Sequence, residues 1–281
     1  MGAITLVKKG YPVRKVCQRL KVTLSAYYHK KNYIKKPKYT EEETEAVTEI
    51  YYRHMGSFGR RTIRRELLKQ GITMSERKIS KIMKEKGLKS KYGRRKGKNV
   101  HTDKDTAEKY IQENIYKQLR EEREQKEIWS MDFTEEKVSG KVIYTCGIVS
   151  INRKILVARI TGKRNNQETA VQTLEQGIAR YGEPYMVLTD RGSPFTSKSF
   201  KETVERHKIL HSMSRPHTPI DNIYIETFWK SMKTEIGKVK HLTKEEYLLI
   251  MEYYEYYYNN IRPHSSLGYC APLQHAYNFV I

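Results

Sequence analysis

Cysteine is scarce in this 281-residue chain. Cys17, Cys146 and Cys270 are its only thiols, odd in number and too widely spaced for a zinc knuckle or a disulfide framework. A reducing cytoplasm suits that usage. No membrane partner is expected, because no apolar run approaches the roughly 18 residues of a span, and MGAITLVKKGYPVRK lacks the apolar stretch of a signal peptide. Acid is scarce too, but only locally. Residues 1–100 hold 28 Lys and Arg against 8 Asp and Glu, whereas the other 181 residues hold 26 against 24. Nearly all of the formal net charge of +22 therefore sits in the first third of the chain. A positive field confined to one segment attracts polyanions, since Lys and Arg release condensed counterions as they neutralise phosphates. The length itself implies two or three domains.

What is present fits four segments. In residues 1–38, PVRKVCQRL, with Val13, Val16 and Leu20 on one face, and LSAYYHKK read as a short helix-turn-helix-like pair followed by the basic linker KNYIKKPKY. Residues 39–100 read as an all-α, DNA-binding helix-turn-helix with a basic tail. Ala46, Val47, Ile50 and Tyr51 recur at helical spacing, SFG at 57–59 breaks the helix, and Ile63, Leu67 and Leu68 define the next. Ser75 is placed to cap a third helix that turns Ile79, Ile82 and Met83 inward. Arg60, Arg61 and Arg64, with Arg77, Lys78, Lys81 and Lys84 on the outer face of that third helix, are the candidate DNA contacts. KSKYGRRKGK, residues 89–98, lacks hydrophobic periodicity and is expected to be mobile until Arg94, Arg95 and Lys96 meet phosphate. Residues 101–126 read as a linker, and 127–281 as a catalytic α/β domain with a C-terminal helix.

From Glu127 the pattern becomes that of strands. In IWSMDFT, Trp129, Met131 and Phe133 alternate with Ser130, Asp132 and Thr134, as in a half-buried strand. KVIYTCGIVSI and KILVARITG extend this to an antiparallel meander of three, QETAVQTLEQGIARYG is a helix ending at Gly182, and YMVLTD is a short buried strand. A helix between two strands implies a crossover to a parallel partner, so the sheet should be mixed. SKSFKETVERH and ILHSMS follow as helix and strand. Asp221 or Asn222 is placed to cap a helix towards Gly237 with Glu226, Lys230 and Lys233 on one face. The final EYYEYYYNN is read as packing rather than a platform for bases.

Asp132 in a strand, Asp190 at a strand end and Glu226 on a helix are the candidate catalytic and metal-binding residues, with 35 residues between the last two. Taken singly, each could be a strand acid, a turn acid or a solvated helix residue. Gathered together they need cations, because two carboxylates about 4 Å apart repel by roughly 4 kcal/mol at an effective dielectric near 20. Oxygen-only ligands favour Mg²⁺ or Mn²⁺, and two such ions activate the attacking oxygen and stabilise the leaving one in in-line phosphoryl displacement. Lys230 and Lys233 would suit phosphate contacts beside such a site.

At WSMDFT, TDRGSPFTS, SMSRPHTPIDN leading to IETFW, and YNNIRPHSSLGYCAP, the chain resembles the DDE integrase-core transposases, which include retroviral integrases. The resemblance is greatest to the bacterial insertion-sequence enzymes encoded in two overlapping frames (the OrfB-type group). SFGRRTIRRELLKQGITMSERKISKIMKEKGL is similar to that family's helix-turn-helix. The resemblance implies a ribonuclease H-like catalytic core and Asp132, Asp190 and Glu226 as ligands of two Mg²⁺ or Mn²⁺ ions. It also implies binding of double-stranded terminal inverted repeats and target DNA, 3′-end cleavage, and strand transfer. Work on two ends suggests a homo-oligomer, at least a dimer, with an upstream-frame product as a further candidate partner, in the prokaryotic cytoplasm and associated with the nucleoid. A DNA-binding regulator or accessory subunit without catalysis is the alternative, and a structure-specific nuclease a weaker one. His217 and Ile223 depart from the family pattern. Arg262 and His264 match its tail, where a structural role is as apt as substrate contact.

Overall fold

The computed structural model describes residues 3–31, 39–92, 126–214 and 222–278. Arg94, Arg95 and Lys96, the expected linker up to residue 125, His217 and Asp221 lie outside them. The chain divides into two compact units, Met1–Glu45 and Ala46–Ile281. Among the described residues no helix is long and apolar enough to cross a membrane.

The first unit contains α1 (Ala3–Lys8), α2 (Val13–Arg19) and α3 (Leu24–Lys31). Val16, Cys17 and Tyr27 are its buried residues, while Leu20 is 40% exposed, contrary to expectation. α2 stops at Arg19 and Lys21 turns to φ 52, so the helical period that would carry Leu20 inward has already ended. α1, which no sequence pattern announced, has only six residues, too few to display a period.

α4 (Glu41–Arg53) leads into the second unit, followed by α5 (Arg60–Lys69) and α6 (Glu76–Glu85). Ile63, Leu67, Ile79, Ile82 and Met83 are buried as the periodicity requires, and Ser75 caps α6 by accepting from the Lys78 N–H at 3.3 Å. Leu68 is exposed instead of buried. Glu66 takes an inward position on α5, with Oε2 3.6 Å from His54 Nε2.

The α/β domain is built on a five-stranded sheet of order β3-β2-β1-β4-β5: β1 (Ile128–Val138), β2 (Lys141–Ser150), β3 (Leu156–Gly162), β4 (Met186–Thr189) and β5 (Leu210–Met213). The first three are antiparallel neighbours, whereas β4 is parallel to β1 and β5 to β4, which is the ribonuclease H-like arrangement. β1 and β2 are joined through Ser139 and Gly140, both at positive φ, the geometry of a two-residue hairpin turn that matches strand twist. α7 (Gln167–Tyr181), capped by Asn166 and ended by Gly182, makes the crossover to β4. α8 (Ser193–Thr196) and α9 (Lys198–Arg206) lead to β5, and α10 (Ile223–Ile236), α11 (Lys244–Asn260) and α12 (Pro272–Asn278) complete the chain.

β1 is covered on both faces, not half-buried. Trp129 and Met131 pack with Leu174 of α7 and with Phe195 and Phe200, and partly buried Phe133 joins them. The opposite face lies under α10 and α11, whose Phe228, Trp229, Tyr254 and Tyr257 form a second core with Val149 and Leu156. The EYYEYYYNN run is therefore mainly packing: Tyr254, Tyr257 and Tyr258 are buried, while Tyr253 and Tyr256 face outward.

One buried ion pair binds residues 58–92 to this sheet domain. Glu235, at the end of α10, is 0% exposed and receives Arg262 Nε at 2.9 Å and Nη2 at 2.7 Å on Oε1, and the Tyr254 hydroxyl at 3.0 Å on Oε2. Tyr92 donates to the same carboxylate, and Lys91 Nζ donates to the Glu235 carbonyl at 2.7 Å. Lys91 and Tyr92 are thus held, contrary to the mobility expected of residues 89–98; the Lys91 N–H also reaches the Gly56 carbonyl at 3.1 Å. Burial works against the Arg262 charge, yet the Glu235 carboxylate beside it holds the guanidinium well above its ordinary pKa. Arg262 is therefore structural. Arg262→Ala leaves Glu235 buried and unmatched and should cost about 3 to 5 kcal/mol in urea unfolding; Arg262→Lys, which cannot bind bidentately, should recover only part of it.

Candidate active site and nucleic-acid interface

Asp132 stands in the middle of β1 on the face covered by α10. Its register partner is Gly147 on β2, where an added Cβ would lie 2.6 Å from the Trp229 ring. Glycine at that point lets the indole of α10 lie against the strand. Trp229 Nε1 is buried beside Asp132 and completes no hydrogen bond of normal length there.

β4 positions the second acid. Ser130 on β1 pairs with Leu188 on β4, and Asp132 and Asp190 each follow two residues later, so the charge of Asp190 acts on Asp132. Asp190 closes its own turn, Oδ1 accepting the Gly192 N–H at 2.8 Å, and its other oxygen remains available. The third acid comes from α10. Asn222 occupies the position expected of a cap but makes no capping bond; its Oδ1 accepts the Ser130 hydroxyl at 2.6 Å instead. That buried bond fastens the start of α10 two residues before Asp132, and Glu226, one turn later, is exposed above the strand.

The electrostatics follow from that placement. Burial raises the Asp132 pKa, and the charges of Asp190 and Glu226 raise it further against the Phe133 backbone N–H and the Trp229 indole, to about 7. Asp190 and Glu226 both lie within electrostatic reach of Asp132. Among the described residues no three acidic, thiol or imidazole groups stand already closed around a common point as a metal site would. The donor set fits a hard divalent cation nonetheless: all donors are oxygens, and a cation offsets both the burial of the Asp132 carboxylate and its repulsion by Asp190 and Glu226. Of the basic neighbours expected on α10, Lys230 is exposed beside Glu226. Lys233 is instead tied down, with Nζ 2.9 Å from the Glu135 carbonyl and 3.3 Å from Glu136 Oε1, so it fastens α10 to β1.

On the helical pair, Arg77, Lys81 and Lys84 are exposed and Lys78 is half-buried. Arg60, Arg61 and Arg64 converge on Glu76 at the start of α6, at 3.1, 3.9 and 4.0 Å. Exposed pairs of this kind add little stability. They hold three guanidinium groups in a fan that a phosphate could take over. The roles of Ser130, Asn222, Trp229, Glu76 and Glu235 escaped the sequence reading because each acts through a partner on another element. Gly147 carried a signal: an isolated glycine inside a β-rich strand marks a close approach.

Two family models described as integrase core domain match residues 122–219 and 207–272, together more than half of the chain, and a third, described as HTH-like domain, matches residues 38–96. The chain belongs to the integrase-core family. Its motifs and the order of its matches are those of the bacterial insertion-sequence, OrfB-type group. It is 26% identical to the transposase for insertion sequence element IS904 of Lactococcus lactis, over 82% of this chain and 91% of the relative. It is 20% identical to the putative transposase InsK for IS150 of Escherichia coli, over 98% and 97%. Among solved structures, the HTLV-2 integrase catalytic core domain in complex with magnesium is similar to 52% of this integrase-core chain and 93% of its own, at 18% identity and a TM-score of 0.42.

A raised carboxyl pKa has a definite consequence for stability. The folded state prefers protonated Asp132, so its contribution is fully present below the unfolded value near 4 and is lost as pH rises through about 7. Asp132→Asn should therefore raise the metal-free stability at pH 8 by an amount on the order of 2 kcal/mol after discounting for partial solvent access, seen as a higher melting temperature, and leave it unchanged at pH 4. Equal melting curves at pH 8 in chelator would contradict the crowding of charge at Asp132.

Proposed function

We propose that this chain is a DNA transposase: residues 39–100 bind transposon ends, and residues 127–281 perform divalent-metal-dependent 3′-end cleavage and strand transfer. The observation that carries the reading is the convergence of the Asp190 and Glu226 charges on Asp132, on a sheet of ribonuclease H-like order beside a basic helical pair. Relatives named as transposases support transposition in general. Exposed Arg77, Lys81 and Lys84 fit the phosphates of duplex DNA, with α6 the helix to enter a groove.

Asp132, Asp190 and Glu226 are proposed as the metal ligands. Two Mg²⁺ or Mn²⁺ ions held by them would supply the charge that activates the attacking oxygen and stabilises the leaving one. In the first step a water oxygen bonds to phosphorus at the transposon end, the P–O3′ bond breaks, and the departing 3′ oxygen gains a proton. In the second, that 3′ hydroxyl bonds to phosphorus in target DNA, a new P–O3′ bond replaces the old one, and the number of phosphodiesters is unchanged. No covalent protein intermediate is needed. The chain's own residues align the strands: Ser130 and Asn222 fix the helix bearing Glu226, Trp229 backs Asp132, and Lys230 meets phosphate. Two ends handled together call for at least a dimer.

The second reading is a DNA-binding accessory chain without catalysis. The experiment that separates them uses end-containing DNA with Mg²⁺ or Mn²⁺. Asp132→Asn and Glu226→Gln should each abolish cleavage and strand transfer, by about 10³-fold or more as loss of a metal ligand implies, while gel-shift binding persists. Full activity in either variant would falsify the mechanism, and wild-type chain that binds ends but never nicks them would establish the accessory reading.

A further inference from the structure

A cavity of about 550 Å³ opens between α5, β2, α10 and the turn at residues 263–269, on the flank of α10 away from Glu226. No role has been assigned to it above. It lies close to the acids: Val149 in its wall is two residues along β2 from Gly147, the partner of Asp132, hence roughly 7 Å along the same sheet face.

Its walls are aromatic. Phe58, Tyr224, Phe228, Tyr258 and Tyr269 line it, and cations already occupy ring faces there: Arg262 lies 5.5 Å from the Phe58 and Tyr258 centroids and Lys154 lies 4.9 Å from that of Tyr224. Those cations are committed elsewhere. Arg262 belongs to Glu235, and Lys154 Nζ donates to the Ile151 carbonyl at 2.5 Å. A phosphate would therefore find little uncommitted charge inside. The other polar groups suit a base edge, which needs both donors and acceptors: Thr62, Ser231 and Ser266 present hydroxyls, and His264 presents an imidazole whose Nδ1 lies 3.0 Å from Ser266 Oγ. Burial, aided by Arg262 and Lys154, lowers the His264 pKa to about 4, so the ring is neutral and offers one donor and one acceptor.

We propose that this cavity receives one extrahelical nucleobase of the bound DNA, stacked against its tyrosines near the phosphodiester to be cut. The inference rests on the transposase reading above. A strand tracked by Arg60, Arg61 and Arg64 on α5 passes the cavity mouth, because Thr62 of the same helix lines it. The volume lies within the roughly 300–1,000 Å³ of small-ligand sites, and sequence-tolerant stacking is what aromatic walls offer an unpaired base. A base withdrawn from the duplex there would bend the strand where the acids must reach phosphorus.

Photocrosslinking of the full chain tests this, with end-containing DNA carrying 5-iodouracil at successive positions around the cleavage site. One position should give an adduct on Tyr224, Tyr258 or Tyr269. Ser266→Trp fills the mouth from an exposed position and should cut that yield several-fold, with the melting temperature retained and adducts on α5 reporting the DNA still bound. Adducts confined to α5 and α6 from every position, or a tyrosine adduct undiminished in Ser266→Trp, would overturn the pocket and leave the transposase reading standing. A chain that binds no DNA would remove both.

Discussion

Glu235 is the constraint on which much of the rest depends. A carboxylate with no exposure is tolerated only when its charge is matched and its lone pairs are filled, and here Arg262, Tyr254 and Tyr92 do so together. Tyr92 comes from the segment after the basic helical pair, Tyr254 from α11 and Arg262 from the turn just past it. Meeting this one requirement sets the end of α10, the tail after α11, and the segment that follows the basic helical pair. A buried ion pair is seldom better for stability than a well-packed apolar replacement. Its value is geometric: apolar side chains can slide past one another, while a bidentate guanidinium accepts one arrangement.

Fastening α10 at both ends gives Glu226 its position. Near the start, Asn222 bonds to Ser130; at the end stands Glu235; between them Trp229 occupies the space that Gly147 leaves, and Lys233 is drawn to β1. Burial on this fastened frame, and then the charges of Asp190 and Glu226, raise the Asp132 pKa to about 7. Stability spent at one point of a fold to keep like charges together is characteristic of functional sites. The same frame places the aromatic cavity on the opposite flank of α10, so one helix serves both a charged and an apolar surface.

Much of this was legible in the sequence, for reasons of period. Trp129, Met131 and Phe133 alternate with Ser130, Asp132 and Thr134, and the structure keeps the first three on one face. Ser75 and Gly182 mark helix ends as capping chemistry requires. Where the reading failed, a local rule met a distant partner. Asn222 has the side chain of a cap, yet Ser130 claims it. Lys91 and Tyr92 sit in a stretch with no hydrophobic period, yet Glu235 binds both. Leu20 and Leu68 fall on the apolar count but outside the packed interface.

The sequence by itself determined the charge partition, the order of helices and strands, the three acids as candidates and the family to which their motifs belong. These are written in composition and in spacings of two or 3.6 residues, which neighbouring residues enforce on one another. Only the tertiary structure decided that Asp132 lies under α10 within reach of the Asp190 and Glu226 charges, that Glu76 gathers three arginines, that Arg262 is structural, and that a cavity opens beside the acids. Such facts depend on contacts between residues tens to hundreds apart, where burial and charge matching act through space and leave no period in the chain.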